Sequence, residues 1–308
     1  MTNIYFTPPP AHTASKGGRK NLFVSRVLAI LALILGTCSS FAQKYEIIDE
    51  YRYRLQNDEA ALVSNETWKY TGDIVVPSKV KASDGKSYKV TGIYDRCFQN
   101  CKTVTSVTLP STISKIGGYS FAGCEQMKSV NIPSAVKTIS DYTFQNCRSL
   151  TSIEIPSGVT RLGERCFSGC SGITSIKIPD AVTEIAQGCF AGTGLTSIEI
   201  PSSISSLPSY CFERCKNLIS IRIPSTVTFI GEFCFLSCSS LTAIDLPRHV
   251  PHLGSSCFSG CSSLKSIEIP PYVEYIQAYC FKNCESLESI TIPSSVTSIG
   301  GNCFGNCI

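Results

Sequence analysis

The sequence predicts a repeat solenoid of leucine-rich-repeat type with short parallel β-strands, on the basis of three periodic features. Phenylalanine recurs from Phe98 to Phe304 at intervals of 23 residues, with one interval of 22. Proline keeps the same period from Pro110 to Pro293, and cysteines flank most of the phenylalanines. Such a period is typical of solenoids, because one unit cannot bury its apolar side chains without a neighbour. We therefore expect one elongated domain of about ten coils instead of two compact domains.

Each repeat is expected to contain two extended segments. In residues 266–269 (Ser-Ile-Glu-Ile), polar and apolar side chains alternate with the period of a strand that has one buried face. Pro270 then ends the strand, because proline has no N–H group for the ladder. Val273 and Ile276 predict a second extended segment whose apolar side chains also turn inward.

The segment around each phenylalanine predicts a tight helical turn. Gly or Asn stands two residues after the phenylalanine in eight of ten repeats, for example at Asn100 and Gly123. Both residue types tolerate the left-handed conformation that commonly closes a helix. We therefore expect one turn of helix with a left-handed cap in each coil.

Three segments are expected along the chain. Residues 1–42 read as an export signal, in which a basic region precedes nine apolar residues and small residues precede Gln43, so cleavage is predicted after Ala42. Lipidation at Cys38 is the alternative. Residues 43–96 depart from the period and are predicted to form an N-terminal cap with a degenerate first repeat. Residues 97–308 are predicted to form the solenoid, with an incomplete last repeat.

Composition and charge argue against several functions. The chain is 43% hydrophobic and 16% charged, which is unlike a disordered protein, and no apolar stretch is long enough for a transmembrane helix. Four of the 27 basic residues and none of the 23 acidic residues precede Gln43, so 23 of each sign remain. Nucleic-acid binding needs clustered cations, and this balance argues against it.

The repeat resembles a known family. The pattern Cys-Phe-x-x-Cys-x-x-Leu-x-x-Ile-x-Ile-Pro-x-x-Val-x-x-Ile-Gly, from about Asp73 to the end of the chain, is similar to that of BspA-like leucine-rich repeat proteins. The resemblance implies export to the surface of host-associated bacteria. For some members it also implies binding to extracellular-matrix proteins or to other cells.

The cysteines suggest either cross-links or a buried thiol core. Of the seventeen after residue 42, eight directly precede a repeat phenylalanine and nine follow it by three residues. Ser120 occupies the position where Cys124 would find its partner, and Thr193 occupies the position where Cys189 would find its partner. One cysteine of the turn is thus replaced while the other remains, whereas the two cysteines of a disulfide would be expected to disappear together. Cysteines four apart on a helical turn also lie too far apart for a disulfide. We therefore predict small buried thiols, with no metal and no cofactor.

No catalytic constellation is evident in the sequence. After residue 42 the only histidines are His249 and His252, and no nucleophile or carboxylate beside them departs from the repeat pattern. Both are expected in an exposed loop. We predict that the protein is not an enzyme.

The strongest candidate for a binding site is a run of aromatic residues five positions after successive prolines. Polar residues occupy this position in the other repeats, whereas three consecutive repeats carry Phe229, His252 and Tyr275. His249 and Tyr272, two positions after their prolines, extend the cluster. Contiguous exposed rings are typical anchors of recognition. We expect a protein partner, such as a host extracellular-matrix or cell-surface protein; a glycan ligand and a purely structural spacer are the alternatives.

Overall fold

The computed structural model describes residues 43–65, 67 and 69–307. The predicted export signal and its cleavage site lie outside these residues. The N-terminal strands are Lys44–Ile48 (β1), Tyr51–Gln56 (β2), Glu59–Leu62 (β3), Gly72–Val75 (β4), Lys79–Lys81 (β5) and Ser87–Ile93 (β6). The strands of the coils are Val104–Thr108 (β7), Lys115–Ile116 (β8), Ser129–Val130 (β9), Thr138–Ile139 (β10), Arg161–Leu162 (β11), Glu184–Ile185 (β12), Ser197–Glu199 (β13), Ser206–Leu207 (β14), Ser220–Arg222 (β15), Phe229–Ile230 (β16), His252–Leu253 (β17), Ser266–Glu268 (β18), Tyr275–Ile276 (β19), Ser289–Thr291 (β20) and Ser298–Ile299 (β21).

The coils stack through two parallel ladders of very short strands. The first ladder contains the strands that precede the prolines, such as β13 paired with β15 and β18 with β20. The second contains the segments after the prolines, such as β10 with β11 and β12. In each pair the register joins residues one repeat apart, so equivalent side chains lie side by side along the solenoid. The predicted parallel solenoid is confirmed.

The solenoid has about nine turns, against the ten expected from the phenylalanines. The strand of the degenerate first repeat, β4, pairs in parallel with β7 and so begins the first ladder. Strands β1, β2, β3, β6 and β5 form a sheet in that order, with antiparallel pairs at both ends. Strand β6 also pairs in parallel with β8, and this pairing links the sheet to the second ladder.

The predicted helical turn is wrong: no helix is present among the described residues. Every coil has two left-handed residues, one two positions before the phenylalanine and one two positions after it, as at Tyr119 (φ 56°) and Gly123 (φ 74°) around Phe121. An α-helix needs consecutive right-handed residues, so this alternation excludes it. The N–H of Phe121 donates to the carbonyl of Thr143 in the next coil at 2.9 Å, while the N–H of Cys124 donates back to Phe121 at 3.1 Å. The turns are therefore a third ladder between coils.

The core is a continuous column of apolar side chains around the repeat phenylalanines. From Phe98 to Phe304, neighbouring rings lie parallel with centroids 5.2–5.8 Å apart. The ring of Tyr70 contacts Phe98 at 5.1 Å and Tyr51 at 5.6 Å, and so extends the column on the N-terminal side. Its hydroxyl donates to the carbonyl of Val63 at 2.9 Å, so the polar end of this buried ring is satisfied.

Candidate binding site

Three of the five predicted site residues lie on the second ladder of the C-terminal coils, and the other two lie in the turns that precede it. We term the five residues, Phe229, His249, His252, Tyr272 and Tyr275, the aromatic stripe. Phe229, His252 and Tyr275 each begin a strand of the second ladder, β16, β17 and β19. The following residue of each strand is buried in the core. Because side chains alternate across a strand, burial of that residue directs the stripe residue outward.

The rings of the stripe are exposed and form two pairs. The exposed fractions of Phe229, Tyr272 and Tyr275 are 43%, 54% and 50%. Phe229 meets His252 edge to face at 6.0 Å between centroids, and His249 stacks on Tyr272 at 5.1 Å. In the backbone register Tyr275 is the partner of His252. Among the described residues no ring contact joins the two pairs.

The expectation that both histidines lie in an exposed loop is correct for His249 only. His249 is exposed and lies outside the strands. His252 begins β17 and is half-buried. The repeat places His252 at a strand position, where Phe229 contacts its ring and Tyr275 is its register partner on the next strand.

A shallow depression of about 440 Å³ adjoins the stripe. His252 and Tyr275 line one part of it, and Gln277 and Ser298 add polar groups. Gly300 lies at the same margin, where an added Cβ would overlap the backbone of Ala278. Apolar rings beside a small polar hollow can hold a protruding side chain of a partner.

The cysteines lie in the core, as predicted. Sixteen of the seventeen described cysteines are buried, and all are free thiols. In eight coils the thiol three residues after the phenylalanine donates to the phenylalanine carbonyl of the preceding coil at 3.0–3.3 Å. Where the cysteine before the phenylalanine is replaced, a hydroxyl bonds to the backbone instead, as Thr143 does to Ser140 at 2.7 Å. Because these side chains bond to the backbone and not to the other cysteine position of the same turn, one cysteine of a turn can be replaced while the other remains.

Burial also makes these thiols poor nucleophiles. It raises the pKa of Cys257 to about 12 and that of Cys215 to about 11. A thiol reacts as the thiolate, so a raised pKa and a buried position both suppress reactivity. Among the described residues no cluster of three or more His, Cys, Asp or Glu side chains has the arrangement of a metal site.

A second row of aromatic residues stabilises the turns. Tyr119 stacks on Tyr142 at 4.5 Å, and Tyr210 on Phe233 at 4.8 Å. All four adopt the left-handed conformation two positions before the repeat phenylalanine. The Tyr142 hydroxyl donates to Glu164, which raises the pKa of Tyr142 to about 12. Because these aromatic residues stack regularly along the turns, we assign them a structural role.

A groove of about 1020 Å³ lies on the face of the first ladder. Glu154, Lys177, Glu199 and Arg222 line it with alternating charge. Arg222 and Glu199 form an ion pair at 3.2 Å in which both side chains are largely exposed. Exposed pairs contribute little free energy, so this face neutralises itself without presenting a strong field.

The chain resembles proteins of known fold. The model of the BspA-type leucine-rich repeat region, which spans six copies, matches residues 91–219 and 183–308. A leucine-rich repeat protein of Treponema pallidum is 26% identical; the match covers 65% of this chain and 87% of that one, with a TM-score of 0.54. A leucine-rich cell surface protein of Faecalibacterium prausnitzii is 28% identical over 87% of this chain and 94% of its own, with a TM-score of 0.48.

A likeness in fold alone extends to the pneumococcal vaccine antigen PcpA. Its TM-score is 0.60 at 18% identity, and the match covers 84% of this chain and 78% of that one. Among proteins of curated function, none matches the sequence. In the part of the chain that the structure describes, no helix has the length and apolar character needed to cross a membrane.

Proposed function

Because the chain belongs to the BspA-type leucine-rich repeat family, we propose that it is an exported, non-catalytic protein that binds another protein through the aromatic stripe. Members of this family are typically surface-exposed or secreted and generally non-catalytic. The partner is a protein on a host or neighbouring cell, or in the extracellular matrix. Residues 43–96 act as the cap of the solenoid, and the segment before Gln43 directs export.

The observation that carries the proposal is the exposure of three large rings within three consecutive coils. The same position in the coils on the N-terminal side is occupied by polar side chains, including Thr138, Arg161 and Glu184. The core does not need rings here, because Ile230, Leu253 and Ile276 already fill the inward positions. An aromatic side chain has only two torsions to fix when a partner covers it, so it loses little conformational entropy on binding. Exposed rings are therefore efficient anchors.

The test is a binding measurement on a triple variant, Phe229→Ser with Tyr272→Ser and Tyr275→Ser. The protein is passed by surface plasmon resonance over a panel of extracellular-matrix and cell-surface proteins. We expect the triple variant to bind its strongest partner at least about tenfold more weakly, since interface rings commonly contribute this much. The fold should persist, because none of the three rings is buried.

Tyr45→Ser is the matched control. Tyr45 is exposed to a similar degree, 47%, but lies on β1, far along the chain from the stripe. Its substitution should leave the affinity unchanged. Equal affinity of the triple variant and the unaltered chain for every partner found would contradict the proposal. If the unaltered chain binds glycans but no protein, and the triple variant loses that binding, the stripe is instead a carbohydrate site. If the chain binds no ligand at all, a structural spacer is favoured.

A further inference from the structure

A second groove lies toward the N-terminal end of the second ladder, outside the aromatic stripe. It has a volume of about 1000 Å³ and is bordered by the N-terminal sheet and the first two coils. The register places four residues in a row across its floor: Arg54 pairs with Ala61, Ala61 with Gly92, and Gly92 with Lys115. Two long cationic side chains therefore stand at the ends of a floor made of small residues. Three strand spacings separate the ends, about 14 Å. We term this feature the N-terminal groove.

The small residues keep the groove open without a structural need of their own. Gly92 does not have a positive φ, and a Cβ added to it would come no closer than 3.7 Å to another atom, the Cβ of Ala61. Neither backbone conformation nor local crowding therefore requires glycine here. A larger side chain would project into the groove above Ala61 and occupy it.

The Arg54 guanidinium is held rigidly but is not neutralised. One of its terminal nitrogens donates to the Gln56 side-chain oxygen at 2.7 Å, and the group lies over the Tyr94 ring at 5.0 Å. Its Nε atom is buried and has no hydrogen-bond partner. Among the described residues, neither Arg54 nor Lys115 forms an ion pair. A half-buried charge without a counter-charge is destabilised by desolvation, and an incoming anion would relieve that cost.

The carboxylates at the margin of the groove are already hydrogen-bonded. Glu59 accepts from the Thr91 hydroxyl at 3.0 Å, and Asp95 accepts from the N–H of Gly118 at 2.8 Å. Lys137 adds a third cation to the lining. Three cations therefore face two carboxylates in the lining, so its net charge is positive and favours an anionic ligand, and the planar guanidinium suits a carboxylate in particular.

The rest of the lining suits a sugar better than a peptide. Strands β3 and β6 each have a neighbour on both sides, so an extended peptide finds no free strand edge in the floor. The lining instead offers the side-chain groups of Asn57, Ser114 and Thr138, which can bond with sugar hydroxyls.

We propose that the N-terminal groove binds a short acidic oligosaccharide, with one uronate carboxylate on Arg54 and a second acidic group toward Lys115. The site is separate from the aromatic stripe and does not depend on the function proposed for it. It gives the protein two recognition sites, one at each end of the described solenoid.

The test is isothermal titration of the full chain with trigalacturonate, using its methyl ester as a neutral ligand of the same shape. We expect measurable binding of the acid and at least about tenfold weaker binding of the ester. Arg54→Gln and Gly92→Val should each weaken binding of the acid by a similar factor, the first by removing the charge and the second by filling the floor. Lys177→Gln changes a cation in the groove of the first ladder and should have no effect.

Several results would overturn the proposal. They are absence of trigalacturonate binding, equal binding of the ester, equal weakening by Lys177→Gln, and stronger binding of pentaglutamate than of the sugar. Melting curves of each variant show whether it is folded. Arg54→Gln is decisive if Gly92→Val fails to fold, because Arg54 is only half-buried and glutamine keeps part of its polar side chain in place.

Discussion

At the scale of single residues, the tightest constraint lies in the one coil that lacks a residue. In the 22-residue repeat the turn after Phe190 is shortened to Thr193-Gly194. Thr193 replaces the usual cysteine, and its hydroxyl donates to the Phe190 carbonyl at 2.9 Å. This hydrogen bond lies within the shortened turn itself. An added Cβ on Gly194 would overlap the carbonyl oxygen of Ser171 in the preceding coil. Only glycine fits at this position of the shortened turn, because the backbone of the preceding coil occupies the space that a Cβ would need.

Gly194→Ala should therefore destabilise the protein by about 2 kcal/mol, as expected for overpacking against a backbone that must shift. The measurement is urea unfolding followed by circular dichroism. Gly301→Ala is the control, because Gly301 has no positive φ and no atom within 4 Å of an added Cβ. Its effect should lie within about 0.5 kcal/mol of zero. If both substitutions have the same effect, the coil relaxes easily and the steric argument is wrong.

At the scale of elements, the thiol ladders link stability to pH. Burial raises the pKa of Cys211, Cys234, Cys261 and Cys280 well above the usual value of a thiol. In the unfolded chain these groups ionise near pH 8.5, about their ordinary value. The native state keeps its protons at that pH, so stability is fully present below about pH 8.5 and is lost as the pH rises.

We predict cooperative alkaline unfolding under reducing conditions. Between pH 8 and pH 10 each fully buried thiol lowers the unfolding free energy by about 2 kcal/mol. The combined loss from several such thiols exceeds the usual net stability of a protein. The measurement is the unfolding free energy at half-unit steps of pH. Replacing Cys234, Cys257 and Cys280 by threonine, as at Thr143, should move the alkaline midpoint upward. An unfolding free energy that stays constant from pH 8 to pH 10 would show that the thiols do not control it.

The elements also show where sequence reasoning succeeds and where it stops. The proline and the alternating Ile residues predict both strand ladders, and Asn or Gly after the phenylalanine predicts one left-handed position. The second left-handed position is occupied by residues such as Tyr119, Arg165 and Phe233, which carry no signal for it. The hydrogen bonds between coils impose that conformation, and they also replace the predicted helix.

The same distinction holds for the two candidate sites. Repeat spacing alone indicates that Phe229, His252 and Tyr275 are neighbours, because equivalent residues stack one coil apart. Arg54 and Lys115 lie 61 positions apart and outside any common period. Only the pairing of β2, β3, β6 and β8 brings them into one row, so the N-terminal groove could not be predicted from the sequence.

At the scale of the whole molecule, the phenylalanine column makes the solenoid a chain of nearest-neighbour contacts. Each buried ring stacks on one ring above and one below, and no ring contact skips a coil among the described residues. The stability of such a structure is approximately the sum of the coils and of the interfaces between them. A weak interface in the middle should therefore divide one cooperative unit into two.

Phe190→Ala tests this division. The ring of Phe190 lies 5.8 Å from that of Phe167 and 5.6 Å from that of Phe212, so its removal weakens two interfaces and leaves a cavity costing about 3–5 kcal/mol. We expect urea unfolding to change from one transition to two, and hydrogen exchange to separate the coils before position 190 from those after it. Phe304→Ala is the control, because Phe304 is only partly buried and has one ring neighbour, Phe281. It should release the last coil alone and leave the main transition in place. A single transition of unchanged steepness in Phe190→Ala would mean that the coils are coupled over more than nearest neighbours, most directly through the three backbone ladders that run beside the column.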